Sequence, residues 1–209
     1  MLGGIFLISG KRIGKVYEEI QKKICNMIPE KWDKVYLYVS IMKGTTKLET
    51  GEMFFYYYPK GVIKKNPINV YEIPSKFNLD DEMYLKLADS LYREIQRLKE
   101  IMVKNGEEAW TNLTISIEDF QFKVEFDYED LRKSSFTNIE RNLIWQFKYL
   151  KKDIGAYRRK ERKILEKYME MESFNPRRIK TYSEPFYLKP ETNIVDYNTE
   201  YKEKLNDLE

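Results

Sequence analysis

The chain has 209 residues, 42% hydrophobic and 34% charged with a net charge of +3, which suits one core-forming domain with an extension rather than two independent domains. It contains no histidine, so serine–histidine and cysteine–histidine catalysis and imidazole-ligated zinc sites are excluded. The single cysteine, Cys25, allows no internal disulfide, which suits a reducing cytoplasm, and its apolar neighbours mark it as an inert buried thiol.

The opening MLGGIFLISGKRIG has an apolar run only from Ile5 to Ile8, with no basic residue before it. It meets neither signal-peptide nor membrane-spanning criteria and reads as a flexible leader over residues 1–13. Ile13, Val16, Tyr17, Ile20, Ile24 and Met27 then follow helical spacing, and Pro29 ends the run. VYLYVSIM alternates Val35, Leu37, Val39 and Ile41 with Tyr36, Tyr38 and Ser40, a strand. KGTTKLETGE is a loop, Met53–Tyr58 a second strand, and Pro59-Lys60-Gly61 a turn. A short strand at Val70–Ile73 completes a three-stranded meander.

The longest helix follows. Asn78 is placed to cap it, Asp80, Asp81 and Glu82 favour its positive end, and Tyr84, Leu87, Ala88, Leu91, Ile95, Leu98 and Met102 form one apolar stripe. Gly106 supplies the stop. Residues 107–130 then read as a hairpin. Leu113, Ile115 and Ile117 alternate with Thr114, Ser116 and Glu118, and beyond Asp119, Phe120, Phe122, Val124 and Phe126 alternate with Gln121, Lys123, Glu125 and Asp127. Period-two alternation predicts one face on a core and one facing water. The polar face holds carboxylates, hydroxyls and amides but no nucleophile–base pair, which points to binding rather than catalysis.

Thr137-Asn138-Ile139-Glu140 has capping-box spacing and opens a helix carrying Leu143, Ile144, Phe147 and Leu150. A further helix, 154–171, bears Arg158, Arg159, Lys160, Arg162, Lys163 and Lys167. Pro176, Pro185 and Pro190 punctuate residues 173–209, predicted as an extended arm with a short terminal helix. The predicted class is α+β: an N-terminal helix, an antiparallel sheet of about five strands (meander plus hairpin), a long central helix and C-terminal helices. Charge is segregated along this order. Residues 1–70 hold 12 Lys/Arg against 6 Asp/Glu, residues 71–140 hold 9 against 16, and residues 141–209 hold 16 against 12.

Several segments, in order, resemble the YezG/EsaG-type immunity proteins, antitoxins to type VII-secreted nuclease toxins of Gram-positive bacteria. They are VYEEIQKKICNMIPEKWDKVYLY (Val16–Tyr38), FFYYYPKG, YEIPSKFNL (Tyr71–Leu79), LYREIQRLKEIMVKNGEEAWTNLTISIE, FKVEFDYEDL and NIERNLIWQFKYL. Ala109 stands where the family usually has proline before the tryptophan-threonine pair, and the leader and arm have no counterpart in it. The resemblance implies an immunity-protein domain over residues 14–172. It implies a cytoplasmic, non-catalytic antitoxin that neutralises a secreted nuclease as a 1:1 protein complex, with no cofactor, metal, membrane or direct nucleic-acid partner.

A nuclease groove is basic because it must neutralise phosphates, and an acidic surface competes for it. The acidic interface candidates are therefore Glu118, Asp119, Glu125, Asp127, Glu129 and Asp130, against the plainer reading of a solvated strand face. A metal site from these carboxylates is disfavoured because alternate strand residues fan along a flat face. Tyr36, Tyr38 and Tyr57 join the interface candidates, since tyrosines on both strand faces leave some outward. Trp32 and Trp110, beside strand starts, are predicted as core, with Phe122 and Phe126. Two other classes compete: a nucleic-acid-binding or regulatory protein using the basic C-terminal helix, and a carboxylate-only metal enzyme. Glu161, Glu166 and Glu170 interleave with the basic helix and favour a solvated face instead.

Overall fold

A computed structural model of the chain describes residues 3–43, 49–61, 66–174 and 177–186. Its elements are α1 (Gly3–Asn26), β1 (Trp32–Ser40), β2 (Met42–Lys43), β3 (Glu49–Thr50), β4 (Met53–Pro59), β5 (Ile68–Asn69), α2 (Ile73–Phe77), α3 (Asp81–Lys104), β6 (Asn112–Glu118), β7 (Gln121–Asp127), α4 (Asn138–Leu150), α5 (Arg159–Phe174) and β8 (Ile179–Pro185). The predicted α+β class holds. Six strands form one antiparallel sheet in the order β5-β4-β1-β6-β7-β8, and β2 and β3 form a separate two-stranded ladder.

The two helical layers differ. On one face, α1 and α3 bring Val16, Ile20, Ile24, Tyr84, Leu91 and Ile95 onto Val35, Leu37, Phe55, Leu113, Ile115, Phe122 and Val124, a continuous apolar core. Burial of these side chains is the main force closing the fold. Lys99 is buried within that layer because its Nζ donates to the Ile41 carbonyl at 2.8 Å and lies 5.2 Å from the centre of the Trp110 ring. On the other face, α4 covers Tyr36, Tyr38 and the polar side of β6 and β7, and α5 packs on α4. The strands therefore lie between two layers of helix.

Local signals mostly act as their chemistry dictates. Thr137 Oγ1 accepts from the Glu140 amide at 3.3 Å, and Glu140 Oε2 accepts from the Thr137 amide at 2.8 Å, so the capping box opens α4 as predicted. Gly106 takes φ +85° after α3 and Gly61 takes φ +83° in the turn after β4. A Cβ at Gly51 would lie 1.8 Å from the Ser40 carbonyl oxygen, so only glycine fits where the chain re-enters the sheet.

Five boundaries differ from the periodicity. α1 starts at Gly3, ten residues before its apolar stripe, since no proline interrupts 3–26 and each added residue gains one hydrogen bond. α3 is capped by Asp80, whose carboxylate accepts from the Met83 amide at 2.7 Å, while Asn78 takes φ +53° and closes α2. The third meander strand is only Ile68–Asn69. Val70–Glu72 turn into a 3-10 helix whose start is held by the Asn69 side chain accepting from the Tyr71 amide. Phe120 is not a strand residue: Asp119 and Phe120 both have positive φ, forming the tight turn between β6 and β7, and Phe120 is 83% exposed. Finally, the arm begins with β8, paired along the whole of β7. The short terminal helix predicted near the C-terminus lies outside the described residues.

Candidate functional site

The polar face of the hairpin is the floor of a cavity of about 200 Å³, walled by α4, α5 and the segment leading into β8. Register explains its composition. Tyr38, Thr114, Glu125 and Thr181 form one cross-strand row, and Ser40, Asn112, Asp127 and Ile179 form the next. Such residues read as solvent-facing in isolation, but α4 lies over them. Trp145 Nε1 donates to Thr114 Oγ1 at 3.0 Å, and Thr114, Ser116, Asn112 and Asp127 are all buried. The water-facing expectation for this side of the hairpin is thus overturned at its centre and holds only at its margins.

Each predicted acidic residue has a particular place. Asp127 is 6% exposed and pairs with Arg177, whose Nη1 lies 3.0 Å from its Oδ2. The same guanidinium reaches Glu129 at 3.3 Å and Glu172 at 3.2 Å, and its Nη2 donates to the Tyr168 hydroxyl at 3.0 Å. Burial raises the Asp127 carboxyl above its ordinary value, and Arg177 and the Glu129 amide offset this only in part. Arg177 shows the converse: burial works against its charge, but Tyr168, Asp127, Glu172 and Glu129 together hold it protonated. Glu125 accepts from Lys123 at 2.9 Å. Burial alone would raise its carboxyl, but hydrogen bonds from Lys123 and Tyr149 outweigh that and hold it below its ordinary range.

At the far end of β6, Glu118 accepts from Lys34 and from the Tyr36 hydroxyl, both at 2.9 Å. Asp130 is paired to Arg132 at 3.2 Å. Asp119 stands exposed in the turn beside Phe120. The acidic set therefore does not form one bare patch. It divides into a buried notch around Arg177, separate pairs at Lys34, Lys123 and Arg132, and an exposed tip.

The tyrosines are mostly inside. Tyr57 is buried on the α1/α3 face with its hydroxyl donating to Glu30 at 2.5 Å. Tyr36 and Tyr38 are buried on the opposite face, Tyr38 stacked on Phe54 with ring centres 4.9 Å apart. The side chains of these three interface candidates are thus covered by neighbouring elements. Trp32, Trp110, Phe122 and Phe126 all lie in the core, Trp110 5.7 Å from Phe126 and Trp32 5.8 Å from Phe186. Cys25 is half-buried against the core, and burial pushes its thiol up to about 12, well outside the reactive range. On α5, Arg159, Lys160, Arg162, Lys163 and Lys167 are exposed.

The residues that sequence patterns passed over are Trp145, Lys148 and Arg177. Lys148 faces Arg177, Glu125 and Glu172 from α4, and burial followed by the Arg177 charge lowers its ammonium below the ordinary value. One signal was present for the arm: Ile179-Lys180-Thr181-Tyr182-Ser183-Glu184, rich in strand formers and ended by Pro185, follows an Arg177-Arg178 pair. Among the described residues no group of three or more His, Cys, Asp or Glu is arranged to hold a metal ion, and no helix is long and apolar enough to cross a membrane.

A family model described as "Immunity protein YezG-like" matches residues 13–164. Immunity protein YezG of Bacillus spizizenii is 31% identical over 160 residues, covering 76% of this chain and 94% of that relative. Immunity protein YezG of Bacillus subtilis is 27% identical over 136 residues, 65% of this chain and 85% of the relative. The type VII secretion system protein EsaG of Staphylococcus aureus is 30% identical over 140 residues, covering 66% of this chain and 81% of the relative.

Proposed function

The chain belongs to the YezG-like immunity protein family, and from that membership we infer that it binds and neutralises a nuclease toxin exported by type VII secretion. The observation that carries this reading is the family match over residues 13–164, which spans α3, the hairpin and α4. In this reading the chain is a non-catalytic antitoxin, acts in the cytoplasm of the producing cell and pairs with its toxin one to one. Protection requires only a complex tight enough to keep the nuclease from nucleic acid. A basic, phosphate-binding groove is met by acidic and hydrogen-bonding groups, and opposite charge also speeds the encounter.

The hairpin is the proposed contact region. Asp119 and Phe120 at its tip offer an exposed carboxylate beside an exposed ring, and at its other end Glu129 lies within the notch and Asp130 is paired with Arg132. Exposed aromatic groups flanked by charge suit protein recognition. The deciding experiment is co-expression with the nuclease domain of the toxin encoded beside the gene, followed by co-purification and a DNA-degradation assay. Co-purification with loss of nuclease activity is expected, and an unprotected, unbound nuclease overturns the reading. Because Asp127 is buried, charge reversal is confined to Asp119→Lys and Asp130→Lys. The pair should weaken binding and flatten its salt dependence, and an unchanged affinity would move the contact away from the hairpin.

A further inference from the structure

We propose that the outer edge of β7 and the acidic notch beside it form a docking site for an extended, arginine-bearing segment of the toxin, and that residues 177–186 are an internal occupant which that segment replaces. The proposal rests on the toxin-binding reading above and names the partner's chemistry at one place.

The boundary of the family match suggests the division into site and occupant. β7, Asp127 and Glu129 lie within residues 13–164, whereas Arg177 and β8 lie beyond them, as do Tyr168 and Glu172 of α5, which complete the notch. The matched stretch alone has two unfinished surfaces side by side. One is a seven-residue strand with a row of unpaired backbone donors and acceptors, a ready template for another strand. The other is a deeply placed carboxylate, Asp127, whose Oδ1 accepts from the Glu129 amide at 2.9 Å and whose Oδ2 is left for a cation or a second donor.

One short segment finishes both. β8 pairs antiparallel with β7 from Gln121↔Pro185 to Asp127↔Ile179, and Arg177, two residues before β8 and on the same face as Ile179, inserts its guanidinium between Asp127, Glu129 and Glu172. The guanidinium carbon also sits 5.5 Å from the centre of the Tyr168 ring. Acceptors arranged around a planar fork, with an aromatic wall, select arginine over lysine.

Beyond Arg177, side-chain specification in the occupant falls on Arg178, Tyr182, Glu184 and Phe186. Lys180, Thr181, Ser183 and Pro185 are exposed, so the ladder is held mainly by backbone groups that any extended segment supplies. A protein whose groove binds phosphates is a ready source of arginine. Release is also local. Among the described residues β8 is the outermost strand, and withdrawing it breaks no other strand pairing there. Besides Arg177, the side-chain anchors to be given up include Tyr182 stacked on Tyr17 with centres 4.4 Å apart, Phe186 beside Trp32, Glu184 accepting from Gln21 at 2.6 Å, Arg178 paired with Glu108 and over the Tyr128 ring, and Lys180 over the same ring. These hold the site closed without a partner and reduce the apparent affinity in proportion to the fraction of closed molecules.

The test locks the occupant in place. Lys123 and Ser183 are paired in register across β7 and β8, so Lys123→Cys with Ser183→Cys, in the full chain carrying Cys25→Ser, places a reducible bond across the ladder. Binding to the nuclease domain of the neighbouring toxin is measured for the oxidised and reduced forms of this protein. The oxidised form should bind at least tenfold more weakly, with recovery on reduction. Equal affinities overturn the proposal while leaving toxin binding intact. Hydrogen exchange on the unmodified complex supplies a second readout without any variant. The amides of Ile179–Glu184 should lose protection while those of Gln121–Asp127 keep it, and retained protection in β8 overturns the replacement. If the unmodified chain binds no toxin at all, the toxin reading falls, and this proposal with it.

Discussion

On the α1/α3 side of the sheet, alternate residues of four strands meet two amphipathic helices through aliphatic and aromatic contacts. On the α4/α5 side, the intervening residues of the same strands meet α4 through an aromatic cluster around Trp145 and through hydroxyls, carboxylates and an indole N–H, and the Arg177 guanidinium enters from the segment before β8. The first layer depends on area and shape, so its members are individually replaceable within limits of volume. The second depends on pairing, where removing one group leaves another buried and unsatisfied. A layer held by area and shape and a layer held also by polar pairing are thus built from opposite faces of single strands. The layer that the proposed toxin segment enters is the polar one.

Substitutions on each side separate the two kinds of layer. The largest effect is expected for Trp110→Ala on the dry side, where the ring is fully buried beside Phe126 and under Lys99. A loss of about 3–5 kcal/mol in urea unfolding is expected, with protection against the toxin falling only as folded protein is lost. Arg177→Ala should cost about 2 kcal/mol. That is less than for a fully enclosed ion pair, because the guanidinium is 26% exposed. Adding Asp127→Asn should recover part of it in a double-mutant cycle, and simple additivity would show that the two groups are not coupled. Thr114→Val, which keeps shape but removes the acceptor for Trp145 Nε1, should cost about 1–2 kcal/mol and increase amide exchange in α4.

The smallest effect is with pH, and its sign follows the balance of the shifted carboxyls: Glu118, Glu125, Asp130 and Glu140 are lowered, and Asp127 is raised. Glu125 is held below its ordinary value by Lys123 and Tyr149, despite burial. Its contribution is therefore present above the ordinary Glu value and lost as pH falls through the lower folded value. Asp127 is raised by burial, so its contribution has the opposite sign, being full at low pH and lost as pH rises through its folded value. Urea midpoints measured between pH 6 and pH 3 should fall toward acid for the unmodified chain. In Glu125→Gln the acid limb should be shallower, and an unaltered limb would remove Glu125 from the polar network.

Much of the dry side was legible in the chain. The stripe from Tyr84 to Met102 and the alternation from Leu113 to Ile117 each predict one buried face, because apolar side chains report burial wherever they recur at the period of their element. The capping box at Thr137 and the stop at Gly106 are equally local. The polar side was not legible for the same reason. Thr114, Glu125 and Asp127 have the character of solvated strand residues, and only the arrival of Trp145 from α4 and Arg177 from beyond α5 places them inside. Tyr36, Tyr38 and Tyr57 divide between the two faces as strand alternation requires, but both faces are covered. β8 lay unrecognised in the arm because seven residues ended by proline carry little periodicity, and their pairing partner lies more than fifty residues away.

The sequence by itself determined the α+β class, the order of the principal helices and strands, the apolar core and the family, since each depends on local periodicity or on short segments in order. Tertiary structure alone decided that the acidic face of the hairpin is a partly closed notch, that its counter-ion is Arg177, and that the edge of β7 is already paired. Those features are contacts between groups distant in the chain, whose desolvation and charge balance exist only once the helices have packed across the sheet.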